Sequence, residues 1–177
     1  MVMLTNIMEK RKKYLMGKKK SHLGVKINKK TGCLERKIGF TCSCFDLLHA
    51  GHIIMLQDAR SRCGKLIVGL QSDPTIDRPE KNKPIQSLEE RRIQLEAVKY
   101  VDEIFIYDTE EDLYKKLLDI NPDVRILGSD YNIPDKRFTG DDLDIEIYFH
   151  ERKHNYSSTN LRKKIVSEHI HRKTEAG

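Results

Sequence analysis

The protein has 177 residues, of which 33 are Lys or Arg and 27 are Asp or Glu, and its formal net charge is +6. This length suits one domain with a substantial core, and no apolar run reaches the roughly 20 residues of a membrane span. The N-terminus lacks the apolar stretch of a signal peptide, and the four cysteines form no regular disulfide framework. We therefore expect a cytoplasmic protein without a membrane span.

The positive charge is concentrated near the N-terminus. Residues 1–37 hold twelve basic and two acidic residues, a net charge of +10, so the rest of the chain sums to −4. Lysine runs without a sustained apolar period predict that residues 1–36 form a flexible extension, with one short helix over residues 7–16. Because the body is not basic, an extended nucleic-acid groove is not expected on its surface.

From Lys37 onward, apolar runs alternate with helical patterns. The apolar runs predict strands over residues 37–41, 66–70, 103–107, 124–127 and 145–149. The intervening segments predict helices over residues 50–61, 88–98, 110–119 and 158–169. This order predicts an α/β fold: a Rossmann-like, doubly wound, five-stranded parallel sheet with helices on both faces. Residues 37–170 would be this domain and residues 171–177 a tail.

The second of these helices has a clear start signal. Ser87 is followed three residues later by Glu90. This spacing predicts a capping box, in which the Ser87 hydroxyl accepts from the Glu90 N–H and the Glu90 carboxylate accepts from the Ser87 N–H.

The stretch from Gly39 to His52 has the features of a phosphate site. A strand leads into small residues, and His49 and His52 flank Gly51 where a helix begins. Backbone N–H groups at a helix start attract anions, and histidines at this spacing lie on one face of the first turn. Neither a G-x-G-x-x-G nor a P-loop signature occurs in the sequence. The pattern therefore predicts that the histidines hold a polyphosphate at the carboxyl edge of the sheet.

Two separated motifs carry a family resemblance. Residues 44–52 read Cys-Phe-Asp-Leu-Leu-His-Ala-Gly-His, and residues 152–159 read Arg-Lys-His-Asn-Tyr-Ser-Ser-Thr. In this order they resemble the two signatures of the H-x-G-H nucleotidyltransferases, and glycerol-3-phosphate cytidylyltransferases most closely. The resemblance covers residues 37–165. It implies transfer of CMP from CTP to a small phosphorylated alcohol, with release of pyrophosphate, Mg²⁺ as cofactor and a homodimer.

The resemblance also implies a role for individual residues. The catalytic residues would be His49, His52, Lys83 and Arg152. The nucleotide-binding residues would be Cys44, Phe45, His49, Ala50, Gly51, His52, Asp130, Arg152, Tyr156, Ser157, Ser158 and Thr159. The acceptor-binding residues would be Lys81, Arg91 and Lys115. No protein side chain is expected to ligate the metal, which would bridge phosphate oxygens.

Two residues raise questions that only a structure can answer: Ser43, just before the first motif, and Asp46 within it. Ser43 stands where the family usually has glycine, and a positive φ there would cost serine about 1 kcal/mol. Asp46 is expected to orient the turn or a hydrated metal, because a phosphate nucleophile is already ionised and needs no base.

Two other functions fit parts of the sequence. Adenylyl transfer from ATP to a sugar phosphate, as in heptose-phosphate adenylyltransferases, uses the same F-D-x-x-H-A-G-H and G-x-D-Y patterns. The spacing of the second motif and the Phe-Thr-Gly of residues 138–140 favour CTP. The third possibility is a non-catalytic nucleic-acid-binding protein that uses its basic N-terminal segment. The intact histidine pair and Arg152 argue against that third function.

Overall fold

The computed structural model of the protein describes residues 24–27, 34–134 and 136–175, with side chains as far as residue 170. The strands are β1 (Val25–Ile27), β2 (Leu34–Arg36), β3 (Ile38–Ser43), β4 (Lys65–Gln71), β5 (Glu103–Tyr107), β6 (Val124–Gly128) and β7 (Glu146–His150). The helices are α1 (Ala50–Ser61), α2 (Leu88–Glu96), α3 (Glu110–Ile120) and α4 (Ser158–Glu175), with a 3₁₀ turn at Ser129–Tyr131.

Five of these strands form one parallel sheet in the order β5-β4-β3-β6-β7. The predicted doubly wound, Rossmann-like fold is therefore confirmed. The winding reverses between β3 and β6, where the chain leaves one half of the sheet and begins the other. In sheets of this kind, ligands bind beyond the carboxyl ends of the strands at that reversal.

Two apolar layers cover the two faces of the sheet. On one face, Leu56 of α1 and Leu95 of α2 pack with Leu66 and Val68 of β4. On the other face, Phe40 and Ile67 pack with Leu113 and Leu117 of α3. Because neighbouring residues of a strand point to opposite faces, the buried run of β4 supplies both layers. Helices α1 and α3 therefore begin on opposite sides of the same sheet edge.

The two short strands β1 and β2 form an antiparallel hairpin that the sequence pattern does not predict. The hairpin lies at the amino edge of the sheet: the Lys37 N–H donates to the Gly24 carbonyl at 2.8 Å, and Lys26 Nζ lies 2.8 Å from the Asp123 carboxylate. Its strands are three residues long and β2 is exposed, so no alternating apolar pattern marks them. The helix predicted over residues 7–16 lies outside the described residues.

The helix boundaries follow the local start signals closely. The predicted capping box at α2 is present: Ser87 Oγ accepts from the Glu90 N–H at 3.2 Å, and the Ser87 N–H donates to Glu90 Oε2 at 2.7 Å. Helix α3 begins with an equivalent box between Thr109 and Asp112. No helix in the part of the chain that the structure describes is long and apolar enough to cross a membrane.

Candidate active site

A cleft of about 1090 Å³ opens at the carboxyl edge of the sheet, where the winding reverses. It is lined by the ends of β3 and β6 and by the first turns of α1 and α4, so both sequence motifs face it. The predicted site residues that line it are Cys44, Phe45, His49, Gly51, His52, Lys81, Asp130, Arg152, Ser157, Ser158 and Thr159. The fold thus brings together residues that lie more than a hundred positions apart.

Other predicted site residues lie outside this lining. Lys83 is 80% exposed and its Nζ lies 3.7 Å from the Asp73 carboxylate, whereas Lys81 reaches the cleft. Lys115 lies on the exposed surface of α3, where it pairs with Glu111 at 2.7 Å. Ala50 and Tyr156 belong to the two motifs, but neither of them lines the cleft. The structure therefore favours Lys81 over Lys83 as the lysine that faces a ligand.

The two histidines of the first motif cap the helix that carries them. His49 is the N-cap of α1, and its Nδ1 accepts from the Gly51 N–H at 3.1 Å. His52 Nδ1 accepts from the His49 N–H at 3.4 Å. The imidazole rings stack with their centroids 3.9 Å apart. A side chain at position 51 would collide with two imidazole rings, because a Cβ there would lie 2.7 Å from His154 Cε1 and 3.0 Å from His49 Cε1.

These bonds determine how each histidine faces the cleft. A neutral imidazole whose Nδ1 accepts a hydrogen bond carries its proton on Nε2. Burial lowers the pKa of His52 to about 3, and repulsion from His49, once His49 is protonated, and from Arg152 adds to this effect. Burial, Arg152 and His154 also lower the pKa of His49. Both rings are therefore neutral near pH 7, and each presents an Nε2–H donor suited to a phosphate oxygen.

The lowered pKa of His52 predicts a pH dependence of stability. Below pH 6.5, the ordinary pKa of histidine, His52 is protonated in the unfolded chain. In the folded protein it stays neutral down to about pH 3. The stability that neutral His52 contributes is thus complete above pH 6.5 and is lost as pH falls. We expect His52→Asn to lose less free energy of unfolding than wild type between pH 7 and pH 4.5, measured by urea unfolding. An equal loss in both proteins would contradict this assignment.

The turn before the histidines is strained at two positions. Phe45 and Leu47 have φ values of 48° and 50°, in the left-handed region that non-glycine residues seldom adopt. Ser43 has no positive φ: it is the last residue of β3 and pairs with Leu70 of β4. The expected cost of serine at this position is therefore absent. The strain is borne by Phe45, whose side chain is fully buried beside His52, and by Leu47.

Asp46 joins the turn to two distant segments. Its Oδ1 accepts from the Ile85 and Gln86 N–H groups at 3.1 and 3.0 Å, and its Oδ2 pairs with Arg162 of α4. Burial alone would raise the pKa of Asp46, but the Gln86 and Ile85 donors and Arg162 together lower it. Both carboxylate oxygens are thus occupied by protein donors. Of the two expected roles, this geometry supports orientation of the turn.

Arg91, for which the resemblance implies acceptor binding, lies outside the cleft. Its side chain is 2% exposed and donates to four backbone carbonyls. These carbonyls belong to Cys44, Gln71, Ser72 and Gln86, at distances from 2.6 to 3.2 Å. Four of its five N–H groups are therefore occupied, and the residue is outside the cleft lining. Arg91 holds the turn, the end of β4 and the following loop together.

Sequence reasoning misses several cleft residues whose side-chain nitrogens are buried without a partner. His154 lies within the second motif, beside Gly51 and Tyr156, and neither of its ring nitrogens has a hydrogen-bond partner. Arg78 and Arg125 line the opposite end of the cleft, and the Nε of each is likewise unpaired. Arg125 does have a sequence signal, because a charged residue inside the apolar run of β6 needs an explanation.

Comparisons with known proteins identify the family of the chain. Residues 40–164 match the Cytidylyltransferase-like family. The chain is 41% identical over 142 residues to the bifunctional protein HldE of Wolinella succinogenes, covering 79% of this chain and 29% of that protein. It is 37% identical over 137 residues to HldE of Helicobacter pylori, covering 76% of this chain and 29% of that protein. The chain therefore spans less than a third of the length of these relatives.

Solved structures show the same fold. A lipopolysaccharide core biosynthesis protein from Thermoplasma volcanium superimposes with a TM-score of 0.52 at 25% identity, covering 68% of this chain and 98% of that chain. Pantothenate synthetase from Thermus thermophilus gives a TM-score of 0.53 at 18% identity, covering 71% and 61%. The family match spans the sheet, both motifs and the cleft between them. The protein belongs to the Cytidylyltransferase-like family of nucleotidyltransferases.

Proposed function

We propose that the protein transfers a nucleoside monophosphate, with AMP from ATP as the first choice, to a sugar phosphate and releases pyrophosphate. The reaction class rests on the family match and on the neutral histidine pair aimed into the cleft. The choice of ATP and a sugar phosphate rests on the HldE relatives, which fit heptose-phosphate adenylyl transfer better than glycerol-3-phosphate cytidylyl transfer. This reverses the preference for CTP that the spacing of the second motif and residues 138–140 suggested.

The end of the cleft that contains both motifs suits the triphosphate. The Nε2–H groups of His49 and His52 face it from the start of α1, and Arg152 and the first turn of α4 lie on the same side. The Ser158 hydroxyl donates to the Asp46 carbonyl at 3.0 Å, which joins the start of α4 to the turn before α1. Two helix N-termini and an arginine concentrate positive potential where a polyphosphate would lie.

The proposed reaction needs no covalent intermediate with the protein. A phosphate oxygen of the acceptor attacks the α-phosphorus in line and forms the new P–O bond. The bond from the α-phosphorus to the bridging oxygen breaks, and pyrophosphate leaves with that electron pair. The histidine donors are held by backbone bonds before the substrate arrives, so they stabilise the growing charge without reorganisation. Arg152, which already donates to the Tyr156 carbonyl at 2.9 Å, has donors left for phosphate.

Mg²⁺ remains a proposed cofactor. Among the described residues, no three His, Cys, Asp or Glu side chains are grouped as metal ligands, and both oxygens of Asp46 are occupied. The ion would therefore be held by phosphate oxygens and water, which is its usual mode with nucleoside triphosphates. Bound there, it would neutralise negative charge on the phosphates.

Pyrophosphate release tests this proposal directly. The protein would be incubated with ATP or CTP, Mg²⁺ and one acceptor at a time, chosen from heptose phosphate, glucose 1-phosphate and glycerol-3-phosphate. We expect release with ATP and a sugar phosphate. His52→Ala provides the matched control, because contaminating activity would persist in that variant.

The remaining outcomes are equally informative. Turnover only with CTP and glycerol-3-phosphate would overturn the proposed nucleotide and acceptor and support cytidylyl transfer. Pyrophosphate release that is equal in wild type and His52→Ala would mean that the measured activity does not depend on His52, and would contradict the assignment of the activity to this site. The homodimer, the cytosolic location and the domain boundaries stay predictions.

A further inference from the structure

The end of the cleft opposite the histidines contains a buried arginine that the protein itself does not satisfy. Arg125 of β6 is 2% exposed and lines the cleft. One terminal nitrogen donates to the Thr139 carbonyl, and the other lies 4.0 Å from Cys42 Sγ, a weak acceptor. Its Nε has no partner. Three of its five N–H groups therefore lack an acceptor among residues 34–134 and 136–170.

Arg125 also has no carboxylate partner among the described residues. None of the ion pairs within the described ranges includes it, although Arg78 in the same end of the cleft pairs with Glu110 at 3.0 Å. The Phe138 and Phe40 rings lie 5.3 and 5.9 Å from its guanidinium carbon and offer partial compensation. A buried charge without a carboxylate is costly, and such charges are normally paired.

Arg91 shows that this fold can satisfy a buried arginine when the arginine is structural. Both side chains are 2% exposed, but Arg91 donates to four carbonyls within 3.2 Å and Arg125 to one. Arg91 also stands outside the cleft, while Arg125 faces it. The difference indicates that the missing acceptors of Arg125 come from a ligand.

Two neighbours of Arg125 also have a buried side-chain N–H without a hydrogen-bond partner. Gln71 is 2% exposed; its Oε1 accepts from Arg78 at 2.9 Å, and its Nε2 is unpaired. Arg78 Nε is also unpaired. All three unpaired atoms are buried N–H donors, and the three residues that carry them line the same cleft. A ligand that matches them must present several oxygen acceptors and a negative charge.

The negatively charged group that these donors would bind is a different group from the triphosphate. Arg125 lies beside Phe40 in the sheet register, on the face covered by α3. Helix α1, which carries the histidines, packs on the other face. The volume of the cleft, about 1090 Å³, is at the upper limit for a single small-molecule pocket and leaves room for two substrates.

We propose that Arg125, with Gln71 and Arg78, binds a second anionic group on the acceptor, a carboxylate or a further phosphate, in addition to the phosphate that reacts. The inference rests on the proposed transfer, because it assigns this end of the cleft to the acceptor. The acceptor class is then an acidic sugar phosphate. Glu110, which pairs with Arg78 and accepts from the Thr139 hydroxyl, is placed to accept a hydrogen bond from a sugar hydroxyl.

Binding without nucleotide tests this site separately from transfer. The dissociation constants of glucose 1-phosphate, glucose 1,6-bisphosphate and glucuronic acid 1-phosphate would be measured by calorimetry on wild type and on Arg125→Met. We expect wild type to bind the bisphosphate or the uronic acid about tenfold more tightly than glucose 1-phosphate, since one charged hydrogen bond contributes that much. The stronger of the two identifies the second group as phosphate or carboxylate. Arg125→Met should lose this preference.

The stability of the empty protein provides a second readout. Because Arg125 is unsatisfied without ligand, we expect Arg125→Met to have a Tm equal to or above that of wild type, whereas Arg91→Met should lower it. A lower Tm for Arg125→Met would show that the side chain stabilises the empty fold and would overturn the proposal. Equal affinities of wild type for all three sugar phosphates would overturn it as well. Neither result depends on pyrophosphate release, so failure of the proposed transfer remains distinguishable.

Discussion

Replacing His49 or His52 with alanine is expected to lower kcat by about a hundredfold, ~2.7 kcal/mol of activation free energy, as for the loss of one preorganised donor. Each variant removes an Nε2–H that backbone bonds to Nδ1 hold in place. The measurement is the steady-state rate of pyrophosphate release with the nucleotide and acceptor that wild type uses. Near-wild-type kcat/KM in both variants would contradict the proposed role of the pair.

Two further substitutions at His49 separate its capping role from its donor role. Asparagine can place Oδ1 where Nδ1 accepts from the Gly51 N–H, so His49→Asn should keep the helix cap and the Tm while losing turnover. Glutamine can place an amide nitrogen near the position of Nε2, so His49→Gln should recover part of the rate at a lower Tm. If His49→Asn turned over like wild type, the Nε2–H donor would be dispensable.

Arg91→Met is expected to lower the free energy of unfolding by about 4 kcal/mol, because four buried carbonyls lose a charged donor. The loss is smaller than the sum of four separate bonds, since the loops relax. Urea unfolding at pH 7 measures it. The expected effect follows from what Arg91 joins: the turn at Cys44, the end of β4 and the loop before α2.

Arg92→Met provides the matched control on the same helix. The Arg92 side chain is 36% exposed and pairs with Glu89 and Glu96 at the surface, so its loss should change the free energy of unfolding far less than the loss of Arg91. The acceptor-binding role that the resemblance implied for Arg91 makes the opposite prediction. If Arg91→Met had the stability of wild type and a raised KM for the acceptor, the acceptor-binding role of Arg91 would be supported instead.

Most of the fold could be predicted because its signals are local. Apolar runs marked the five strands of the parallel sheet, and Ser87 with Glu90 marked the start of α2 to the residue. The hairpin of β1 and β2 could not be predicted in this way. Its strands are held by contacts with Gly24, Lys37 and Asp123, which depend on a sheet edge formed elsewhere in the chain.

The candidate site likewise contains some residues that could be predicted from the sequence and others that could not. The motif residues could be named because each motif is continuous in sequence and places its own helix start. The lysines and arginines between the motifs could not be assigned, since a long side chain can face a cleft, a carboxylate or a set of carbonyls. Lys81, Lys83 and Arg91 meet three such different surroundings within eleven residues of sequence.

The sequence by itself determined the succession of strands and helices after the β1–β2 hairpin, the family and the two motifs that meet at the carboxyl edge of the sheet. These features follow from periodicity, capping and short-range spacing, which act within a few residues. Only the tertiary structure decided that Ser43 has no positive φ, that Asp46 accepts from the Gln86 N–H, that Arg91 donates to backbone carbonyls and that the Nε of buried Arg125 is unpaired. Each of these depends on partners from distant segments, because burial and hydrogen bonding of a polar group are set by the packed chain.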